Sequence, residues 1–270
     1  MELIKKAEKY LIKGKNLEKL LLAEKRRRGI DKDNICFIAA ANLAQYWWCD
    51  IKAYLRSKQD EIEFFGAYLY DKISYAEELG LIENLPKDKG KWLDIGNKIT
   101  LKNINMLLKE KHNGICERIY NEDPEKVEDK FLRGNIYEFK LAEKYPKIRW
   151  HFIWGNYVIE GIPDGITDKF VYEFKSTKSK WLSFYTKPVA LTQADLYGYF
   201  FKREKKRVQI YLMDKKEVET IEDKVDINRA LKTLRLFEKV CNGKGIRGTS
   251  KKWKCKVCEF KEKCIKESSK

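Results

Sequence analysis

Between Arg149 and Phe174 the chain breaks into short runs rich in β-branched and aromatic residues: Arg149–Trp154, Tyr157–Gly161 and Phe170–Phe174. Gly155-Asn156 separates the first two, and the stretch from Asp164-Gly165 to Asp168-Lys169 separates the last two. This spacing predicts a strand meander. A helical stretch follows at 189–203, then a strand over 207–213 (RVQIYLM) and a helix over 226–240. Upstream, 2–28 reads as helix with a break at Gly14, and 39–57 as a second, aromatic-rich helix with Cys49 in its middle. Residues 60–130 read as a mostly helical insert, with Asp123-Pro124 as the start of a further helix. Strands enclosed between helices make this an α/β chain.

The 270 residues suffice for one sizeable core with a smaller lobe, and 43% of them are hydrophobic, which excludes global disorder. Lys and Arg outnumber Asp and Glu by 57 to 41, a net charge of +16 that favours an anionic partner, most simply nucleic acid. Charges interrupt every apolar run of MELIKKAEKYLIKGK, so it does not read as a signal peptide. No stretch approaches the roughly 20 apolar residues of a membrane span. The expected location is the cytoplasm, with no membrane partner. There, seven cysteines argue for metal ligation over disulfides.

The chemistry-bearing segment is Gly161-Ile162-Pro163-Asp164, followed by Tyr172-Glu173-Phe174-Lys175. Side chains alternate along a strand, so Glu173 and Lys175 point one way and Phe174 points to the opposite, buried side. Asp164 lies a turn away. Two carboxylates and an ammonium group can therefore meet at a sheet edge. Hard oxygen ligands suit Mg²⁺ or Mn²⁺. A lysine beside the metal can orient an attacking water or stabilise charge developing on a phosphate. An E-x-K pair alone is common in a lysine-rich chain; the Asp-bearing turn before it and the helix after it, with Gln193 and Tyr197, give it weight.

Near the C-terminal end stands Cys255-x2-Cys258-x5-Cys264. Three close thiolates suit zinc or an iron–sulfur cluster and need a fourth ligand from Cys36, Cys49, Cys116 or Cys241. Spacing alone does not choose among these, and zinc with Cys241 is a fair rival. His112 and His151, the two histidines, match no ligand motif.

The order Gly161…Asp164, Glu173…Lys175, Gln193…Tyr197 resembles the RecB-like branch of the PD-(D/E)XK nucleases. The resemblance implies a restriction-endonuclease-like core, a mixed central sheet flanked by helices. Asp164 and Glu173 would bind the metal with the backbone carbonyl of Phe174, Lys175 would be catalytic, and Gln193 and Tyr197 would support the site and touch DNA. The family's upstream G-x-x-x-H corresponds to Gly134…Glu138, with Glu138 where the histidine belongs. A carboxylate there would shift preference towards Mg²⁺. The run Asn42…Tyr46…Cys49-Asp50 resembles the early cysteine element of the CRISPR-associated Cas-four family, with Asp50 in place of the usual proline. That resemblance implies a 4Fe–4S cluster on Cys49, Cys255, Cys258 and Cys264, leaving Cys36, Cys116 and Cys241 as buried or incidental thiols. The implied organisation is N-terminal helices over 1–59, a helical insert over 60–130, the nuclease core over 131–240 and a cluster segment over 241–270. The implied activity is metal-dependent exonuclease cleavage of single-stranded DNA or DNA ends, with endonuclease action alongside. The implied setting is CRISPR spacer acquisition beside the integrase proteins. Two alternatives stay open: a weakly active or inactive iron–sulfur DNA-binding protein of the same fold, and a viral or mobile-element recombination nuclease. Oligomeric state is not legible.

Overall fold

The computed structural model describes residues 17–78, 123–241, 247–249 and 251–268. In chain order the elements are α1 (Leu17–Arg27), β1 (Phe37–Ala39), α2 (Ala40–Ala44), a 3-10 turn (Gln45–Trp47), α3 (Asp50–Glu78), a second 3-10 turn (Pro124–Lys126) and α4 (Lys130–Leu141). Then come β2 (Trp150–Trp154), β3 (Tyr157–Gly161), β4 (Gly165–Ile166), β5 (Phe170–Thr177), α5 (Lys180–Phe201), β6 (Lys205–Leu212), β7 (Glu217–Lys224), α6 (Ile227–Cys241), α7 (Lys252–Lys256) and α8 (Lys261–Ser268). The fold is mixed α/β. One sheet has the order β1-β3-β2, with β1 parallel and β2 antiparallel to β3. The other has the order β4-β5-β6-β7, in which β5 and β6 are parallel and the outer pairs antiparallel.

The β5–α5–β6 unit organises the core. Parallel neighbours need a crossover, and α5 supplies it. Its second half buries Val189, Ala190, Ala194, Leu196, Tyr197, Phe200 and Phe201 in the main hydrophobic cluster. Ser179 caps its start, accepting a bond from the Leu182 N–H at 3.3 Å. The sequence predicts this helix only over 189–203. In the structure the helix starts at Lys180 and runs through Pro188. The carbonyl that Pro188 leaves without its helical donor belongs to Phe184, an exposed residue whose backbone water can reach. Gly198 lets α5 sit close: a Cβ there would fall 2.2 Å from Val225.

The N-terminal part differs from the expected single helix over 39–57. Phe37–Ala39 forms a strand, and the helix breaks after Trp47. Cys49 lies at that break, with its carbonyl accepting the first bond of α3 from Ala53 at 3.0 Å. It is therefore not mid-helix. α3 then runs without interruption through position 60, so the expected boundary there falls inside one element. Residues 79–122 of the expected insert, with His112 and Cys116, lie outside the described residues. Asp123 caps only the 3-10 turn, accepting from the Glu125 N–H at 3.1 Å, and α4 begins at Lys130.

Glu61, buried on α3, ties three elements together. It bonds Lys25 of α1 at 2.7 Å and accepts from the N–H groups of Cys36 (2.6 Å) and Phe37 (3.3 Å) at β1. A buried carboxylate with every partner supplied is a fixed point of a fold. β7, EVETIEDK, carries no apolar alternation and was not legible as a strand. It forms an exposed, charged edge, which suits a strand that must not recruit another chain.

Candidate active site

β5 is buried along Val171–Phe174 on both faces. Tyr172 and Phe174 pack with Tyr137 and Tyr211 on one face, while Val171 joins the main core on the other. Glu173 shares the Val171 face and is 0% exposed. A carboxylate there is costly unless compensated. Lys175, two residues on, donates to Glu173 Oε1, while Glu173 Oε2 has no hydrogen-bond partner among the described residues.

Asp164 sits between β3 and β4. Its Oδ2 accepts from the N–H of Phe174 at 2.8 Å, which fixes the Asp-bearing turn against the Glu173 peptide. Gly161 allows that turn: a Cβ there would meet the rings of Phe201 and Phe152 at 3.1 and 3.3 Å. Burial, then the charge of Asp164, pushes the Glu173 carboxyl well above the ordinary range. Burial also raises that of Asp164, against the pull of Lys175. Burial alone would lower the Lys175 ammonium, but Glu173 and Asp164 outweigh it and hold it above its ordinary value. The site is thus short of positive charge and keeps a free carboxylate oxygen.

Glu138 on α4 faces the same region. It bonds Lys147 at 2.6 Å. Burial acts against the charge of Lys147, while Glu138, Asp164 and Glu173 all raise its pKa. Lys147 is a second ammonium in the acidic field. Sequence reasoning missed it because nothing separates it from the many other lysines. Gln193 and Tyr197, one helical turn apart on α5, are both buried, and the Gln193 amide donates to the Tyr197 hydroxyl at 3.0 Å. Burial and then the charge of Glu173 hold the Tyr197 phenol well above its usual value.

Beside them lies a cleft of about 410 Å³. Glu138, Phe174, Lys175 and Gln193 line it, and Lys52, Arg56 and Lys130 supply positive charge. The structure thus brings together Glu138, Asp164, Glu173, Phe174, Lys175, Gln193 and Tyr197. Among the described residues, no three His, Cys, Asp or Glu side chains converge as a single-ion site. The reason is visible in the contacts: Asp164 is turned to a backbone N–H, Glu173 to Lys175 and Glu138 to Lys147.

A second pocket, about 140 Å³, is lined by Cys49, Cys255, Cys258 and Cys264, with Trp48, Ile51 and Phe260 as apolar walls. All four expected cysteines therefore share one cavity, from residues some 200 positions apart in sequence. Asp50 fastens the late segment: its carboxylate accepts from the N–H groups of Arg247 and Gly248, each at 2.8 Å. Burial raises the Cys49 thiol. Cys36 and Cys241 lie elsewhere, buried, and burial pushes both up to about 12. His151 is buried between Asp71 (3.6 Å) and Glu160 (3.5 Å), outside both pockets.

No family model matches the chain, and no curated protein matches it. A solved structure described as "Crystal structure of SSO0001" is similar, with a TM-score of 0.37 at 15% identity, covering 91% of this chain and 93% of that one. A likeness at that score carries no inference. Among the described residues, no helix is long and apolar enough to cross a membrane.

Proposed function

We propose that the protein is a metal-dependent DNA nuclease of the RecB-like PD-(D/E)XK type, acting on single-stranded DNA or DNA ends, with a 4Fe–4S cluster on its four grouped cysteines. The observation that carries the reading is Glu173: fully buried on an inner strand, one oxygen unpartnered among the described residues, bonded to Lys175, which lines a basic cleft, and within the charge field of Asp164. Asp164 and Glu173 fit a hard divalent cation, because added positive charge there offsets what burial and mutual repulsion cost. Glu138 and the Phe174 carbonyl are the further donors the resemblance implies. When bound, Mg²⁺ or Mn²⁺ supplies charge to the phosphate and acidifies the attacking water.

The chain's own groups do the rest. The Lys175 ammonium, held protonated by two carboxylates, donates a hydrogen bond to the scissile phosphate or to the attacking water; it is a poor base. Lys52, Arg56 and Lys130 draw the sugar–phosphate backbone into the cleft. The Gln193–Tyr197 pair keeps α5 in place behind Glu173. In the second pocket, four thiols within apolar walls fit a soft-metal centre. The thiols themselves suit zinc as well as a cluster; the cluster is chosen on the Cas-four resemblance. Following the Cas-four resemblance, the proposed pathway is the trimming of DNA for insertion into a CRISPR array beside the integrases.

End-labelled single-stranded DNA incubated with Mg²⁺ or Mn²⁺ tests the enzyme reading. Shortened products that disappear with EDTA are expected. Tight DNA binding without cleavage under either metal would instead favour a non-catalytic DNA-binding protein, the reading suggested by Lys147 occupying Glu138. Anaerobically purified protein should be brown and contain iron and sulfide; colourless protein with stoichiometric zinc contradicts the cluster.

A further inference from the structure

The first two turns of α5 expose two large rings. Trp181 is 54% and Phe184 70% exposed, and at i,i+3 spacing they share a helix face. Isolated exposed aromatics are ordinary, but Trp181 is backed by a built aromatic cluster. Trp181 packs on Trp253 with ring centres 5.0 Å apart and on Tyr185 at 5.3 Å. Trp253 in turn meets Trp48 at 5.5 Å and Tyr185 at 5.0 Å. The buried Lys254 ammonium lies 4.5 Å from the Trp48 ring centre and 4.9 Å from that of Tyr185, and donates to the Trp48 carbonyl at 3.0 Å. Trp181 is therefore a ring held rigid on one side and open on the other.

The charge around it is predominantly positive. From residue 174 to 194 the chain carries Lys175, Lys178, Lys180 and Lys187 and no acidic residue, and from 239 to 258 it again has none. Lys178, Lys180 and Lys187 are exposed. Asp214, the carboxylate in contact with this end of α5, accepts from the Lys180 N–H at 3.4 Å. Lysine is depleted in protein–protein interfaces, whereas rings interleaved with cations are what a single-stranded nucleic acid requires: planes for its bases and charge for its phosphates. The position also fits. Lys52 lines both the basic cleft and the cysteine pocket, and Trp48, in the latter, joins the aromatic row that ends at Trp181. The row leads from beside the cleft outward to the surface.

We propose that Trp181 and Phe184, with the lysines around them, form a base-stacking site for single-stranded nucleic acid outside the catalytic cleft, holding the strand that enters or leaves it. The choice of nucleic acid rests on the nuclease reading; the site itself rests on the backed Trp181 ring, the exposed Phe184 beside it and the lysines around them.

The test is binding of a fluorescent oligo-dT to the intact protein in EDTA, read by polarisation and by quenching of tryptophan emission. The W181A/F184A variant should bind at least about tenfold more weakly, with W181F close to wild type. Phe184→Ala alone, at a side chain with little packing to lose, should weaken binding severalfold and keeps the test valid if the double variant does not fold. Unchanged affinity in both variants overturns the site, even if the wild type cleaves DNA. Wild-type protein that binds phosphatidylserine vesicles through these rings but not the oligonucleotide also overturns it. Ring-dependent oligonucleotide binding with no metal-dependent cleavage keeps the site and removes the nuclease reading.

Discussion

At Glu173 the needs of the fold and of the site conflict. An apolar side chain between Val171 and Lys175 would suit the core; a carboxylate there has its pKa pushed up by burial and by Asp164. Since the folded-state pKa exceeds the ordinary 4.5, this group's contribution to metal-free stability is full below that pH and is lost as pH rises through the raised value. Glu173→Gln removes that loss. In EDTA, the variant's melting temperature relative to wild type should therefore be higher at pH 8 than at pH 5; a gap independent of pH contradicts the burial argument. The same variant should not cleave DNA. Glu138 makes a second residue-level claim. Its pairing with Lys147 has to yield if it is to serve a metal. Glu138→Ala should then raise the Mg²⁺ needed for half-maximal cleavage about tenfold, and Glu138→His should shift preference towards Mn²⁺. An unchanged Mg²⁺ requirement would leave Glu138 as the partner of Lys147 and no more.

Among the elements, the junction before α3 carries much of the architecture. Asp50 stands where the resembled family has proline, and it holds the backbone of residues 247–248. Hydrogen bonds to a charged acceptor contribute about 1.5–3 kcal/mol each, so Asp50→Ala should lower stability in urea by about 3 kcal/mol, while a loss under about 0.5 kcal/mol would mean the tail is held by other contacts. How far sequence reached also divides by element. β2, β3 and β5 were legible as short β-branched and aromatic runs bounded by turns, and α6 from its helical character. β7 was not, because an exposed edge strand needs no apolar face. The first half of α5 was not legible: it starts at the Ser179 cap and runs through Pro188, and its exposed Trp181 and Phe184 do not mark a buried helical face. The acidic site was legible from residue order alone, but Lys147 was not: its role comes from proximity to Glu138 across nine positions, and a lysine-rich sequence has no mark for that.

On the scale of the whole molecule, the excess of positive charge and the acidic site are complementary. In the proposed function, basic residues would gather the polyanion, and the carboxylates hold back a local deficit of positive charge at one point. The cysteine pocket joins Cys49 to a segment about 200 residues later, so the proposed metal binding there would be coupled to closing the chain. Cys49→Ala should lose iron and soluble yield, whereas Cys241→Ala, buried in the main core away from the pocket, should keep its iron. Equal iron in both would mean Cys49 is not a ligand. The central claim is that Asp164, Glu173 and Lys175 form a hydrolytic centre, and it is tested most directly by single-turnover cleavage of end-labelled single-stranded DNA with Mn²⁺, comparing wild type with Lys175→Ala while measuring DNA binding in parallel. The account expects cleavage to fall at least about 100-fold in the variant with binding within about threefold; equal rates in the two proteins, or no cleavage in either, would contradict it.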